Sequence, residues 1–576
     1  MSHACSAPWI RRMVALVLVC GLGACSVDTT VSVGASTPAQ IQHLYVTVEG
    51  VWLSTDAAAA DAAAATIGTS ATGGGWVGQK LSTPLSIDLA SLNGGTLTDL
   101  VSGIKTAPGT YRRLRLDLAD SSAALTDAAR TAGLSWNAQV QYLSTTGTSQ
   151  SLALELPSPA SPLIIPVSIE IRGAGATPFL AGGIDTSSSG ATLAVGSGTA
   201  STTDRVAIDI QAERNWILFE YDGSTGALLA PLILAYDADT VGGITGTLDM
   251  SAAAAATLTG PQGIVVTAEK LSADGTRYEP VKSVSVSGSG AFTLYPLPVA
   301  DTANGSSYEI VIHGPGIRSI VISQVPVKAG AASAATSLQD AALTLTKARH
   351  YTVNAAANSA PLPGGSRVGF YQMLPGFTAP HLIEYAAADP FNGGFSEDVS
   401  LSADVVDHGD YADGASITLN RGTPEDGVGT YRVGADSALR NASALSSTIS
   451  APTLSASGVQ PIFLPGAGTA LGGATMRLNG TLSLATPGRF DRGFVLISRG
   501  GELIDSLDLK ASLSGLGSTA SFTLPSIPAG NADGRYDVAV RLWNSRNPSG
   551  TLTRAAAAGR LDGSGGGVQT VNIVVP

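Results

Sequence analysis

Short runs in which apolar and polar residues alternate, broken by Gly, Ser, Thr, Asn, Asp and Pro, fill most of this chain. His43-Leu44-Tyr45-Val46-Thr47-Val48, Tyr111-Arg112-Arg113-Leu114-Arg115-Leu116-Asp117-Leu118 and Tyr536-Asp537-Val538-Ala539-Val540-Arg541-Leu542 are typical. Residues two apart share one face of a strand, so each run predicts a strand with one face buried and one wet. Long runs with helical period are scarce, and 68 glycines in 576 residues supply the turns that many short strands need. The pattern predicts an all-β chain of sandwiches.

The strands repeat in a larger unit. Phe292-Thr293-Leu294-Tyr295-Pro296-Leu297-Pro298 returns as Phe522-Thr523-Leu524-Pro525-Ser526-Ile527-Pro528. A Gly-Thr-Leu precedes each copy, at Gly246 and Gly480, and a strand opening on tyrosine follows each, at Tyr308 and Tyr536. Tyr111 and Tyr431 begin strands in the same way, after Gly109-Thr110 and Gly429-Thr430. A tyrosine at the start of a late sandwich strand packs its ring on the core and bonds its hydroxyl to the preceding corner. Four such corners predict a tandem array of about four β-sandwich domains of the immunoglobulin-like or prealbumin-like kind.

The first residues read as a leader. Arg11-Arg12 precede an apolar run from Met13 to Leu22, and the chain turns polar at Ser26. The run is too short to span a bilayer, and its form is that of a secretory signal. Leu22-Gly23-Ala24-Cys25 resembles the bacterial lipobox, which implies removal of residues 1–24, acylation of Cys25 and a stable lipid anchor. Ser26 in place of Asp resembles the pattern of lipoproteins that leave the inner membrane, which implies the outer membrane. Cys5 and Cys20 would leave with the leader, so no disulfide is expected and the cores must hold the fold. Residues 25–39 look too polar for a core and are expected to be a lipidated tether.

Two stretches resemble known families. Leu44 to Trp52, Gly75-Trp76-Val77, Ile87 to Gly94, Pro108 to Leu116, Ile208-Asp209-Ile210 and Leu228 to Ile233 stand in an order similar to domain of unknown function 4382. That resemblance covers residues 40–240 and implies a β-sandwich without naming an activity. Gly243 to Leu248, Ile264 to Glu269, the Phe292 heptad and Tyr308 resemble the carboxypeptidase-regulatory-like, or transthyretin-like, sandwich over residues 242–346. That fold is grouped with carbohydrate-binding-like folds. Residues 348–465 are expected to form a third sandwich, and 472–576 a fourth that repeats the second.

Charge and motifs narrow the chemistry. The net charge is −12 and the basic residues are scattered, so nucleic acid is not an expected partner. No nucleophile elbow, phosphate-binding loop or zinc-protease motif appears. His43, His313, His350, His381 and His408 are dispersed along the chain. No cofactor is expected. Asp407, Asp410 and Asp413 form the best calcium candidate, without the spacing of a twelve-residue calcium loop. Trp52, Trp76, Trp136 and Trp216 all fall in the first domain, which makes them the candidate ligand-binding aromatics, although a tryptophan on an alternating strand is usually a core residue. The expected function is a non-catalytic, lipid-anchored envelope protein that displays sandwich domains, with the membrane and other envelope proteins as partners. The alternative is a surface lipoprotein that recognises glycans.

Overall fold

The computed structural model describes residues 27–56, 75–144, 147–156, 162–171, 203–214, 216–221, 224–230, 232–251, 263–300, 304–338, 343–357, 362–391, 393–395, 399–404, 406–411, 417–421, 428–464, 470, 473–514, 517–529, 535–544, 555–562 and 566–575. It is about 60% strand and 7% helix, an all-β multi-domain protein. No helix among the described residues is long and apolar enough to cross a membrane, which says nothing of a β-barrel.

The first unit is two sheets around one core of Val, Leu and Ile. One sheet has the order Leu232–Asp237, Thr203–Gln211, Val27–Ser36, Thr98–Thr106. The other is built on the long strand Ile41–Ser54. A bulge between Val48 and Gly50 lets that strand pair with Gln139–Leu143 at its start and Gly109–Leu118 at its end.

Val27–Ser36 overturns the expected tether. It lies between two neighbours, antiparallel to Thr98–Thr106 and parallel to Thr203–Gln211. Val31 and Val33 are buried, and so are Thr29 and Ser32. Thr29 meets Thr106 hydroxyl to hydroxyl at 2.7 Å. The strand is central and covered on both faces, so its hydroxyls are satisfied inside the protein and its polarity does not mark exposure.

The second and fourth units share one topology. In the second, Val241–Thr247 pairs antiparallel with Ala291–Pro298 and parallel with Thr336–Leu338. In the fourth, Thr475–Leu484 pairs antiparallel with Thr519–Pro528 and parallel with Gly567–Val575. The repeated motifs meet in the same register, Gly246 opposite Phe292 and Gly480 opposite Phe522. Each phenyl ring lies over its cross-strand glycine. A Cβ on Gly246 would stand 2.4 Å from the Phe292 ring, and one on Gly480 2.0 Å from the Phe522 ring. The last proline of each heptad offers its carbonyl to the corner tyrosine. Tyr536 donates to Pro528 O at 2.6 Å, and Tyr308 donates to Pro298 O. Glycine, heptad and tyrosine therefore recur together because they touch.

The corners hold elsewhere too. Tyr431 donates to Ser402 O at 2.9 Å and Tyr111 to Ala107 O at 3.1 Å. All four rings are buried at 0–1% exposure, which makes them corner residues and not surface aromatics.

The third unit is the least regular. Its largest sheet has the order His381–Ala387, Arg367–Gln372, Thr430–Asp436, Ile449–Ser450. It also lends the strand Asp407–Asp410 to the second unit, parallel to Ile320–Val327. A division at residue 348 thus cuts through a shared sheet.

Candidate functional site

The candidate residues of the first domain are mostly core. Trp52 and Trp76 form a small buried cluster with Ile164, and Arg115 stacks on the Trp52 ring at 4.7 Å. Trp216 lies in the main core beside Tyr142. Only Trp136 of the four is half-buried. Three of the four therefore present no face on which a sugar can stack, because their strands turn them inward. Cys25 and Asp413 lie outside the described residues. Asp407 is taken by Arg318, with Nη1 3.2 Å from Oδ1, while Asp410 is exposed. Among the described residues no group of three or more His, Cys, Asp or Glu has the geometry to hold a metal.

The histidines, dispersed in sequence, converge. The sheet Tyr278–Ser285, Val265–Leu271, Ser306–His313, Ile320–Val327, Asp407–Asp410 turns one face to the core of the second unit. Alternation places Glu269, Glu309, His313, Ser323 and His408 on its other face, with Val311 and Val321, which join the core of the third unit. His381 and Glu384, on the strand His381–Ala387, come to this face from the third unit.

At one end of the seam, Ser319 Oγ donates to His313 Nδ1 at 2.8 Å. His313 Nε2 donates to Ser400 O at 3.0 Å and lies 3.3 Å from Glu384 Oε2. His350 Nε2 donates to Ile317 O at 2.7 Å, and its Nδ1 accepts from Ser400 Oγ at 3.1 Å. Burial, with His313 5.7 Å away ring to ring, pushes His350 down to about 4. At the other end, His381 stacks on Tyr278 at 4.2 Å and meets the edge of Phe377 at 4.4 Å. Its Nδ1 is 3.1 Å from Glu269 Oε2, and both side chains are 0% exposed. Burial pushes His381 down to about 3 and holds Glu269 well above the usual carboxylate range. Both shifts favour the neutral forms, so this contact is a hydrogen bond between an uncharged imidazole and a carboxylic acid. Glu309 stands opposite Glu269 on the next strand and is raised too, by burial first.

Ser319, His313 and Glu384 are the residue types of a hydrolytic relay. Ser319 is 1% exposed and His313 3%, so the hydroxyl faces the seam and not a substrate. Its work is to fix the imidazole.

A second polar seam joins the first unit to the last. Arg541 Nη1 and Nη2 donate to the two oxygens of Asp120 at 3.1 and 2.7 Å, and Nε lies 2.6 Å from Glu155 Oε2. All three side chains are at most 10% exposed. Around them, Leu228 and Ala230 of the first unit pack on Phe494, Leu496 and Leu503 of the fourth. The turn at Gly500-Gly501 reaches the first unit's core. Gly501 has φ +91°, and a Cβ there would stand 3.1 Å from Leu163 Cδ1. With Arg440 on Asp505 at 3.1 Å between the third and fourth units, the four units close into a ring.

This first unit carries the family relationship. A DUF4382 domain is found at residues 28–181. The DUF4382 match includes Val27–Ser36 almost entire and stops before Thr203–Gln211, the strand that completes its smaller sheet. No curated protein matches the chain. Among solved structures it is similar to the Bacillus anthracis TIE protein, at 11% identity over 64% of this chain and 58% of that one, with a TM-score of 0.14. A leucine-rich repeat protein from Bacteroides thetaiotaomicron matches at 10% over 39% of this chain and 26% of that one, TM-score 0.13. A DUF3823 family protein from Bacteroides uniformis matches at 10% over 56% of this chain and 98% of that one, TM-score 0.11. The chain thus spans less than two thirds of the first two. At these TM-scores the likenesses carry no argument.

Proposed function

We propose that this is a lipid-anchored cell-envelope protein, held by acylated Cys25, that presents a closed block of β-sandwiches and carries out no catalysis of its own. The observation that supports this best is the pair of buried polar seams. Side chains that would serve chemistry, His313, His350, His381 and the Arg541 cluster, hold units together. Because the first strand begins at Val27, only Ser26 separates Cys25 from it. The anchor would then hold the first unit against the lipid surface, not away from it. Cys25→Ser in the full chain should move the protein from the detergent-extracted membrane fraction to the soluble one; unchanged fractionation rejects the reading.

Glycan recognition is the second reading, and one surface favours it. His43 and Tyr45 stack at 5.7 Å on the outer face of the large sheet, with the Asp88 carboxylate 2.7 Å from His43 Nδ1. Beside them Gln141 donates to Ser149 at 2.9 Å, and Ser149 donates to Gln42 at 2.7 Å. An exposed ring on a half-buried one, next to amides and hydroxyls, offers the groups that take up sugar faces and sugar hydroxyls. Saturable binding to a panel of envelope glycans that is lost in Tyr45→Ala would support this reading, and a panel without binding would end it.

A further inference from the structure

One lysine is sealed between the first and second units. Lys282 Nζ lies 2.6 Å from Asp209 Oδ1, and the two side chains are 1% and 0% exposed. The other carboxylate oxygen, Oδ2, accepts from Gln211 Nε2 at 2.9 Å, and that amide is itself fixed by donation to Val281 O at 3.1 Å. Tyr236 and Tyr308, each 1% exposed, are buried to either side of the junction. Lysine is almost never fully buried, and taking two ions out of water costs several kcal/mol for each. The same chain holds a contrasting pair: Lys105 and Asp28 also touch, but their side chains are 56% and 45% exposed.

We propose that Lys282 and Asp209 condense into an intramolecular isopeptide bond, Nζ to Cγ, that joins the first unit to the second covalently. In a site without water, the ammonium passes a proton to the carboxylate, which yields the amine and the carboxylic acid. The amine attacks Cγ, and the negative charge that develops on Oδ2 is met by the Gln211 amide. Collapse expels Oδ1 with two protons as water, so the ammonium and carboxylate become an amide and one water, with no oxidant or activating group required. Two groups held in contact in one geometry react as if at very high concentration, about 10⁵–10⁸ M for well-oriented pairs. The product also removes both buried charges, and Gln211 remains as the donor to the amide carbonyl. Lys105 and Asp28 keep their water and stay an ion pair.

The test is the mass of the purified full chain. The expected result is a chain one water lighter than the sum of its residues and its anchor, with no such loss in Lys282→Met. Trypsin should spare Lys282 and release a branched product joining residues 206–214 to residues 278–318. A wild-type chain at full mass, with residues 278–282 released as a free peptide, overturns the proposal. So does a water loss that maps elsewhere or survives in Lys282→Met. The wild-type reading stands whether or not the variant folds.

Discussion

The seam between the first and fourth units and the seam between the second and third are both polar and both buried, yet they use opposite chemistry. Arg541 places its guanidinium against two carboxylates, Asp120 and Glu155, and holds them as ion pairs. His381 with Glu269, and His350 with Ser400 and Ile317 O, are held as neutral hydrogen-bonding groups. The first seam is held by ion pairs around one guanidinium. The second depends on His381 and His350 staying unprotonated. The two ways of burying polar groups therefore fail under different conditions.

The largest expected effect comes from breaking the charged seam. Arg541→Met removes the cation that Asp120 and Glu155 share and should cost about 3–5 kcal/mol in chemical denaturation. Adding Asp120→Leu and Glu155→Leu should recover most of that loss, since an apolar seam of similar volume is tolerated. If Arg541→Met alone is neutral, the ring is not held there.

The neutral seam should respond to acid. His381 has an ordinary value of 6.5 and a folded value of about 3. Above pH 6.5 neither state binds its proton, and the seam is at full strength. As pH falls from 6.5 towards 4.5 the unfolded chain takes up protons that the folded one refuses, and about 2–3 kcal/mol is lost through this one group. Glu213, raised to about 8 by burial beside Ser285, has the opposite sign. Its contribution is complete below 4.5 and disappears as pH rises through 8. Unfolding free energy measured from pH 4 to 9 should show both limbs. His381→Gln should make the acid limb shallower, leaving the share that His350 supplies, and Glu213→Gln should make the alkaline limb shallower. Arg541→Met should lower the curve at neutral pH, and loss of the acid limb in that variant would show that the two seams are coupled.

The smallest effect is local to one unit. Tyr536→Phe removes the bond to Pro528 O and should lower stability by about 1 kcal/mol, read as a shift in thermal midpoint. The same change at Tyr431 should have a similar effect, because its hydroxyl also donates one buried bond to a backbone carbonyl, that of Ser402.

Much of this architecture can be read in the sequence. Period-two alternation marks the strands, and the Gly-Thr-Leu, Phe-Thr-Leu and tyrosine landmarks mark the paired units because each landmark touches the next. Val27–Ser36 escapes that reading, since its buried positions include Thr and Ser, whose polarity looks like exposure until their partners are known. The tryptophans draw attention as rare aromatics, while the outward stack is His43 on Tyr45, a pair that period two puts on one face without marking it as a site. The histidine seam is invisible in sequence for a different reason. His381 finds Glu269 across 112 positions, and His313 lies 87 from the Ser400 carbonyl it bonds, so contact is made by sheets packing and not by motif.

Arg541 reaches back 421 residues to Asp120. At about 5–20 residues per second, a ribosome needs about 20–80 s to make the intervening chain. Throughout that interval Asp120 and Glu155 lack the guanidinium they share in the finished fold, and Leu228 and Ala230 lack the cover of the fourth unit. Each newly made molecule therefore passes through an open form, in which the first unit waits with a sticky, acidic flank for the last to arrive. A stop codon anywhere before the fourth unit would make that form permanent. Losses at the far end of the chain should thus be felt first as aggregation of its beginning.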